Sequence, residues 1–125
     1  MRLMRRIVLV VVAALGITVG LVAPASADSA ACTSGCAGYA WFASYGEVLH
    51  VEDRAGDGHS AVAQWYRYDN GNSGNVWNPN GAWTQVTRNF DMAEGVGIDY
   101  RVCLGEYGSR TILYWSCSGW VHDHA

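Results

Sequence analysis

The sequence predicts an all-β domain, a small antiparallel β-sandwich of immunoglobulin-like or jelly-roll-like layout closed by two disulfides. Three observations predict it. Apolar and polar residues alternate over several short runs, the period of a half-buried strand. Turn chemistry punctuates those runs at Asp57-Gly58, Asn70-Gly71, Asn80-Gly81 and the Gly105–Gly108 segment. Past residue 27, no stretch keeps an apolar period of 3.6.

Taken in order, the chain begins with what reads as an export signal over residues 1–27. Met1 to Arg6 is basic, Ile7 to Val22 is apolar, and Pro24 precedes the small-residue cleavage pattern Ala25-Ser26-Ala27. Glycines and a threonine interrupt the apolar run, which falls short of a bilayer-spanning helix. Residues 28–38, with small residues around Cys32 and Cys36, read as a loosely ordered lead-in to a β-sandwich domain spanning 39–125. Tyr39, Trp41, Ala43 and Tyr45 alternate and predict a first strand; Leu49 and Val51 mark a second within 47–53. Residues 60–68 predict another, with Val62, Tyr66 and Tyr68 on one face and Ala61, Ala63 and Trp65 on the other. Residues 82–88 give a weaker strand. Val96, Ile98, Tyr100, Val102 and Leu104 give the strongest, with Gly97, Asp99, Arg101 and Cys103 between them. Residues 111–117, rich in β-branched and aromatic side chains, are expected to pair with it. His122-Asp123-His124 reads as a frayed polar tail.

Cys32, Cys36, Cys103 and Cys117 all follow the signal and so meet an oxidising compartment, where disulfides form rather than zinc thiolates. Four cysteines allow three pairings. The favoured one is Cys32–Cys36 with Cys103–Cys117, the second tying neighbouring strands; the rival staples the two ends of the chain together.

Signal cleavage removes Arg2, Arg5 and Arg6 and leaves five arginines against 11 acidic residues. That balance argues against nucleic acid, which requires clustered cations, and against docking on an anionic membrane. The expected product is a secreted, extracellular monomer without cofactor.

Fifteen aromatics follow the signal, against 13 Leu, Ile and Val, so most aromatics must serve as packing. One segment escapes that reading. Residues 69–81 carry Asn70, Asn72, Asn75, Asn78 and Asn80, three glycines and Pro79, with Trp77 the only large apolar side chain. A long loop of this composition has little to bury an indole against, and long ordered loops are often functional. Amides supply donors and acceptors, and an indole supplies a flat apolar face, which together suit a sugar ring. The binding candidates are therefore Trp77, Asn75 and Asn78, with Tyr66, Tyr68 and Trp83 nearby.

Catalytic and metal-binding patterns are weak. Gly58-His59-Ser60-Ala61-Val62 lacks the last glycine of a nucleophile elbow, and Gly71-Asn72-Ser73-Gly74 sits in a chain too short for a protease double barrel. Asp53, Asp57 and Gly58 do not match calcium-loop spacing, and His122 with His124 gives only two metal ligands. No catalytic residue, metal or cofactor is assigned.

The stretch Val51 to Ala63, the Glu94-Gly95 turn leading to Tyr100-Arg101-Val102-Cys103, and the closing Cys117-Ser118-Gly119-Trp120 resemble small exported β-rich proteins of actinobacteria. The resemblance implies secretion and a compact β domain, with no activity attached. The expected function is a secreted non-catalytic recognition domain for a glycan or cell-envelope component. The alternative is a disulfide-stabilised inhibitor of a partner protein such as a protease, presenting the loop Gly105 to Arg110. A small hydrolase built on His59 or His50 ranks last.

Overall fold

A computed structural model describes residues 29–125; the expected signal segment, 1–27, lies outside the described residues. The strands are β1 (Ser29–Cys32), β2 (Gly38–Ala43), β3 (Val48–Asp53), β4 (Ser60–Arg67), β5 (Ser73–Asn78), β6 (Thr84–Asn89), β7 (Gly97–Glu106), β8 (Thr111–Leu113) and β9 (Val121–His124). They form two antiparallel sheets, one ordered β1-β2-β3-β6 and the other β5-β4-β7-β8, with β9 also paired to β7. The predicted all-β sandwich is what forms, and both favoured disulfides, Cys32–Cys36 and Cys103–Cys117, are present.

The inner faces follow the pleat. Ala40, Phe42, Leu49 and Val51 of the first sheet meet Ala61, Ala63, Trp65, Ile98, Tyr100 and Val102 of the second in one cluster. Phe90 closes one end, its ring edge-on to Trp65 at 4.9 Å. Trp65 needs that room: a Cβ on Gly74, its partner across β4 and β5, would lie 2.7 Å from the indole. The alternation read along β7 therefore points the way the sequence implied. Along β2 it does not. Tyr39, Trp41 and Ala43 lie on the outer face, while Ala40 and Phe42 are buried. Those outer aromatics are covered locally, Trp41 by a stacked His50 at 3.5 Å and Tyr39 by the Arg54 guanidinium.

Four further expectations are corrected. Of the lead-in expected over 28–38, the described residues 29–38 are not loosely ordered: they hold β1, hydrogen bonded along β2, and a short 3-10 turn inside the Cys32–Cys36 bridge. The Asn-rich 69–81 segment is no long loop, because its centre is β5, paired with β4 from Tyr66↔Ser73 to Ala61↔Asn78. The C-terminal tail is β9, paired with β7 from Gly97↔His124 to Tyr100↔Val121. Its Asp123 is buried and accepts both the backbone N–H and the hydroxyl of Ser29, at 3.1 and 2.6 Å, so β9 reaches across to the first sheet. The strand expected over 111–117 ends at Leu113, and a 3-10 turn, Tyr114–Ser116, follows.

Candidate groove on the outer face of the second sheet

In a strand, alternate residues share a face, so the outward positions of β4, β5 and β7 fall into cross-strand rows. Asn75, Gln64 and Arg101 make one row; Ser73, Tyr66 and Asp99 make the next. A third row, Trp77, Val62 and Cys103, stands beside them. The first two rows form the floor of a groove of about 810 Å³, and Tyr114 and Trp120 wall it from the returning segment.

That segment is placed by β7 itself. Between the stretch of β7 that pairs with β8 and the stretch that pairs with β9, side chains finish the ladder. Ser116 Oγ accepts the Leu104 N–H at 2.8 Å, and Ser118 Oγ accepts the Val102 N–H at 3.1 Å. The Ser118 N–H in turn reaches the Val102 carbonyl at 2.8 Å. Cys117, lying between the two serines, is bonded to Cys103 on the outer face of β7. Tyr114 and Trp120 flank this anchor and are carried over Arg101, whose guanidinium carbon lies 5.8 and 4.6 Å from their ring centres.

The two ionised groups of the floor are treated differently. Asp99 has a partner on each oxygen: Oδ2 accepts the Tyr68 hydroxyl at 2.6 Å, and Oδ1 lies 2.7 Å from His122 Nδ1, which supplies the proton because a carboxylate only accepts. That hydrogen bond to Asp99 pushes the Tyr68 phenol above its ordinary value. Arg101 gives its Nε–H to Gln64 Oε1 at 2.9 Å and makes no ion pair among the described residues. Its remaining N–H groups form no hydrogen bond among the described residues.

The sequence candidates divide accordingly. Tyr66 and Asn75 line the groove, and Tyr68 stands at its margin, edge-on to Tyr66 and bonded to Asp99. Trp77 is half-buried rather than exposed on a loop. It lies across Gly105, where a Cβ would come within 2.8 Å of the indole, and meets Tyr107 edge-on. Asn78 is fully buried. Its Nδ2 donates to the Val51 and Thr84 carbonyls, and its Oδ1 accepts from Thr84 Oγ1 and the Asn80 N–H. Both N–H groups of that amide and its oxygen are hydrogen bonded where β5 leaves one sheet for the other. Trp83 precedes β6, remote from the groove lining, 73% exposed and with φ at 65°. Sequence reasoning missed Gln64, Ser73, Asp99, Arg101, Tyr114 and Trp120. The polar positions alternating with the core of β7 were the available signal, but their neighbours are set by register.

His59, Asp53 and Asp57 each have a partner. His59 Nδ1 lies 2.5 Å from Glu106 Oε1, a pairing not apparent in the sequence. Among the described residues no hydroxyl is hydrogen bonded to the His59 or His122 ring. Asp53 and Asp57 each cap a turn, accepting the N–H of Ala55 and His59. Burial pushes the Asp53 carboxyl up. No group of three or more His, Cys, Asp or Glu converges among the described residues.

Comparison of the chain with family models, with curated proteins and with solved structures finds no match.

Proposed function

We propose that the chain is an exported, non-catalytic recognition domain whose groove holds a sugar chain from a glycan or cell-envelope polymer. One observation carries this reading: aromatic rings stand over a floor of amide, guanidinium and carboxylate groups on a rigid three-strand platform. Sugar rings present apolar C–H faces and a rim of hydroxyls. Tyr66, Tyr114 and Trp120 offer flat apolar surface, while Gln64, Asn75, Ser73 and Arg101 offer donors and acceptors at fixed cross-strand spacing. The groove volume falls within the roughly 300–1,000 Å³ of small-molecule sites. Placement on paired strands, with a disulfide behind the wall, reduces the ordering cost of binding. Oxidised cysteine pairs fit an oxidising, extracellular setting. Among the described residues no helix is long and apolar enough to cross a membrane.

The inhibitor alternative has less support. The candidate arginine of its loop, Arg110, is folded back with its guanidinium 3.5 Å from the centre of the Tyr107 ring, and it donates to the Tyr107 carbonyl.

The test is a titration of intrinsic tryptophan fluorescence of the domain beginning at Asp28 against a panel of neutral and acidic polysaccharides. Trp120 is 52% exposed, so a bound sugar is expected to shift its emission. Trp120→Ala and Tyr66→Ala are each expected to weaken binding about tenfold or more. A panel without a binder, or binding indifferent to both substitutions, would remove the groove as a glycan site.

A further inference from the structure

We infer that the groove selects a carboxylated sugar, a uronic acid unit, and that Arg101 is the residue that binds its carboxylate. The inference rests on the glycan reading above and specifies its ligand.

Five arginines lie among the described residues. Arg54 and Arg67 are paired with Glu52 and Asp69, Arg110 is turned onto Tyr107, and Arg88 covers the Trp65 and Phe90 rings. Arg101 alone lines the groove. The nearest acid of its own strand face, Asp99, has both oxygens occupied by Tyr68 and His122. Among the described residues Arg101 therefore has no carboxylate partner, in a chain whose acids outnumber its bases, and its Nη groups form no hydrogen bond there.

Its orientation is also fixed. Gln64 takes the Nε–H from across the strand pair, and the rings of Trp120 and Tyr114 cover the guanidinium. A guanidinium held by Nε and by stacking presents its two Nη groups as a planar fork, which matches the two oxygens of a carboxylate. The aromatic cover lowers local water access and strengthens that pairing. Amides on the same row, Gln64 and Asn75, stand where the hydroxyls of the adjoining sugar would be read.

The overall acidic balance sharpens the prediction. Long-range attraction of a polyanion is unfavourable, so preference for the acid arises from contact at Arg101 and is greatest for short oligomers. Screening by salt then weakens the pairing and the repulsion together, unlike the steep salt loss of a basic patch.

The test compares short oligogalacturonate and oligomannuronate with their methyl esters, by tryptophan fluorescence and calorimetry at pH 7. The acid form of at least one is expected to bind about tenfold more tightly than its ester, a difference of about 1.4 kcal/mol. Arg101→Gln is expected to bring the acid down to the affinity of its ester, so that the difference between the two is lost. Arg101→Lys, which keeps the charge without the fork, should retain part of the preference and covers the case in which the glutamine variant does not fold. Esters binding as well as acids, or a neutral sugar binding where no uronate does, would overturn the inference and leave the glycan groove standing. A preference for the acid that survives Arg101→Gln would show that another residue reads the carboxylate. Binding of no sugar at all would remove both.

Discussion

The Arg101 guanidinium carbon lies 4.6 Å from the centre of the Trp120 ring, although one residue belongs to a central strand and the other to a segment without regular structure. The contact exists because Cys117, anchored to Cys103 and flanked by Ser116 and Ser118, pulls the intervening chain onto β7. Replacing both cysteines, Cys103→Ser with Cys117→Ser, is expected to cost about 3 kcal/mol by urea denaturation, the range for a closed loop of this length. The same variant should lose the groove wall, so sugar binding is expected to weaken even where the domain remains folded.

Asn75 and Asn78 stand three residues apart on one strand and are expected to behave oppositely. Asn78→Ala leaves the buried Val51 and Thr84 carbonyls without their donor and should cost about 2–4 kcal/mol in chemical denaturation. Asn75→Ala, exposed on the groove floor, should change stability by less than about 0.5 kcal/mol and show its effect in ligand titration instead.

Tyr100 sets an alkaline limit. It is wholly buried, and its phenol is pushed up to about 12, by burial first, with the Asp123 carboxylate adding and the Ser29 hydroxyl partly offsetting. An unfolded tyrosine ionises near 10. The raised folded value means the stabilisation is complete below pH 10 and disappears as pH rises towards 12, amounting to about 2 kcal/mol across that window. Urea midpoints from pH 8 to 12 are expected to fall accordingly, and Tyr100→Phe should flatten the slope while lowering stability at pH 8 through loss of the Ser29 contact, 2.7 Å between hydroxyl oxygens.

Trp83 places a bulky side chain at φ 65°, a region that disfavours residues with a Cβ by about 1–2 kcal/mol. Its N–H donates to the Asp53 carbonyl at 2.6 Å, which holds the backbone there, while the indole stays exposed. Trp83→Gly is expected to keep that hydrogen bond and to stabilise the fold by about 0.5–1 kcal/mol after allowing for glycine's greater freedom in the unfolded chain, read as a higher thermal midpoint. Sugar binding should not change, because Trp83 does not line the groove.

How far the sequence could be read depends on which physical term decides each element. The β7 core face was legible because one face is continuously apolar and the other polar. On β2 both faces carry large apolar groups, so a period of two identifies a strand without saying which side faces inward. Trp41 pointing outward against His50 is the result. On β5, asparagines and glycines read locally as a loop. What makes it a strand is tertiary: Gly74 admits Trp65, and the Asn78 amide is satisfied by three other segments. β9 was hidden for the same reason, since the partners of Asp123 are Ser29 and Ser44 at the other end of the chain. The groove shows the limit most plainly. Tyr66 and Asn75 stood out by composition, but Arg101 becomes a candidate only once register sets it beside Gln64 and the disulfide brings Trp120 over it.

The joining of β9 to β1 also closes the sandwich along one side. Ala125 exchanges hydrogen bonds with Val96 and Gly95, and Asp123 closes on Ser29. Residues 121–125 therefore knit the edge of the second sheet to the first strand of the other. A substitution anywhere in that stretch acts on the seam between the two sheets rather than on a dispensable strand edge.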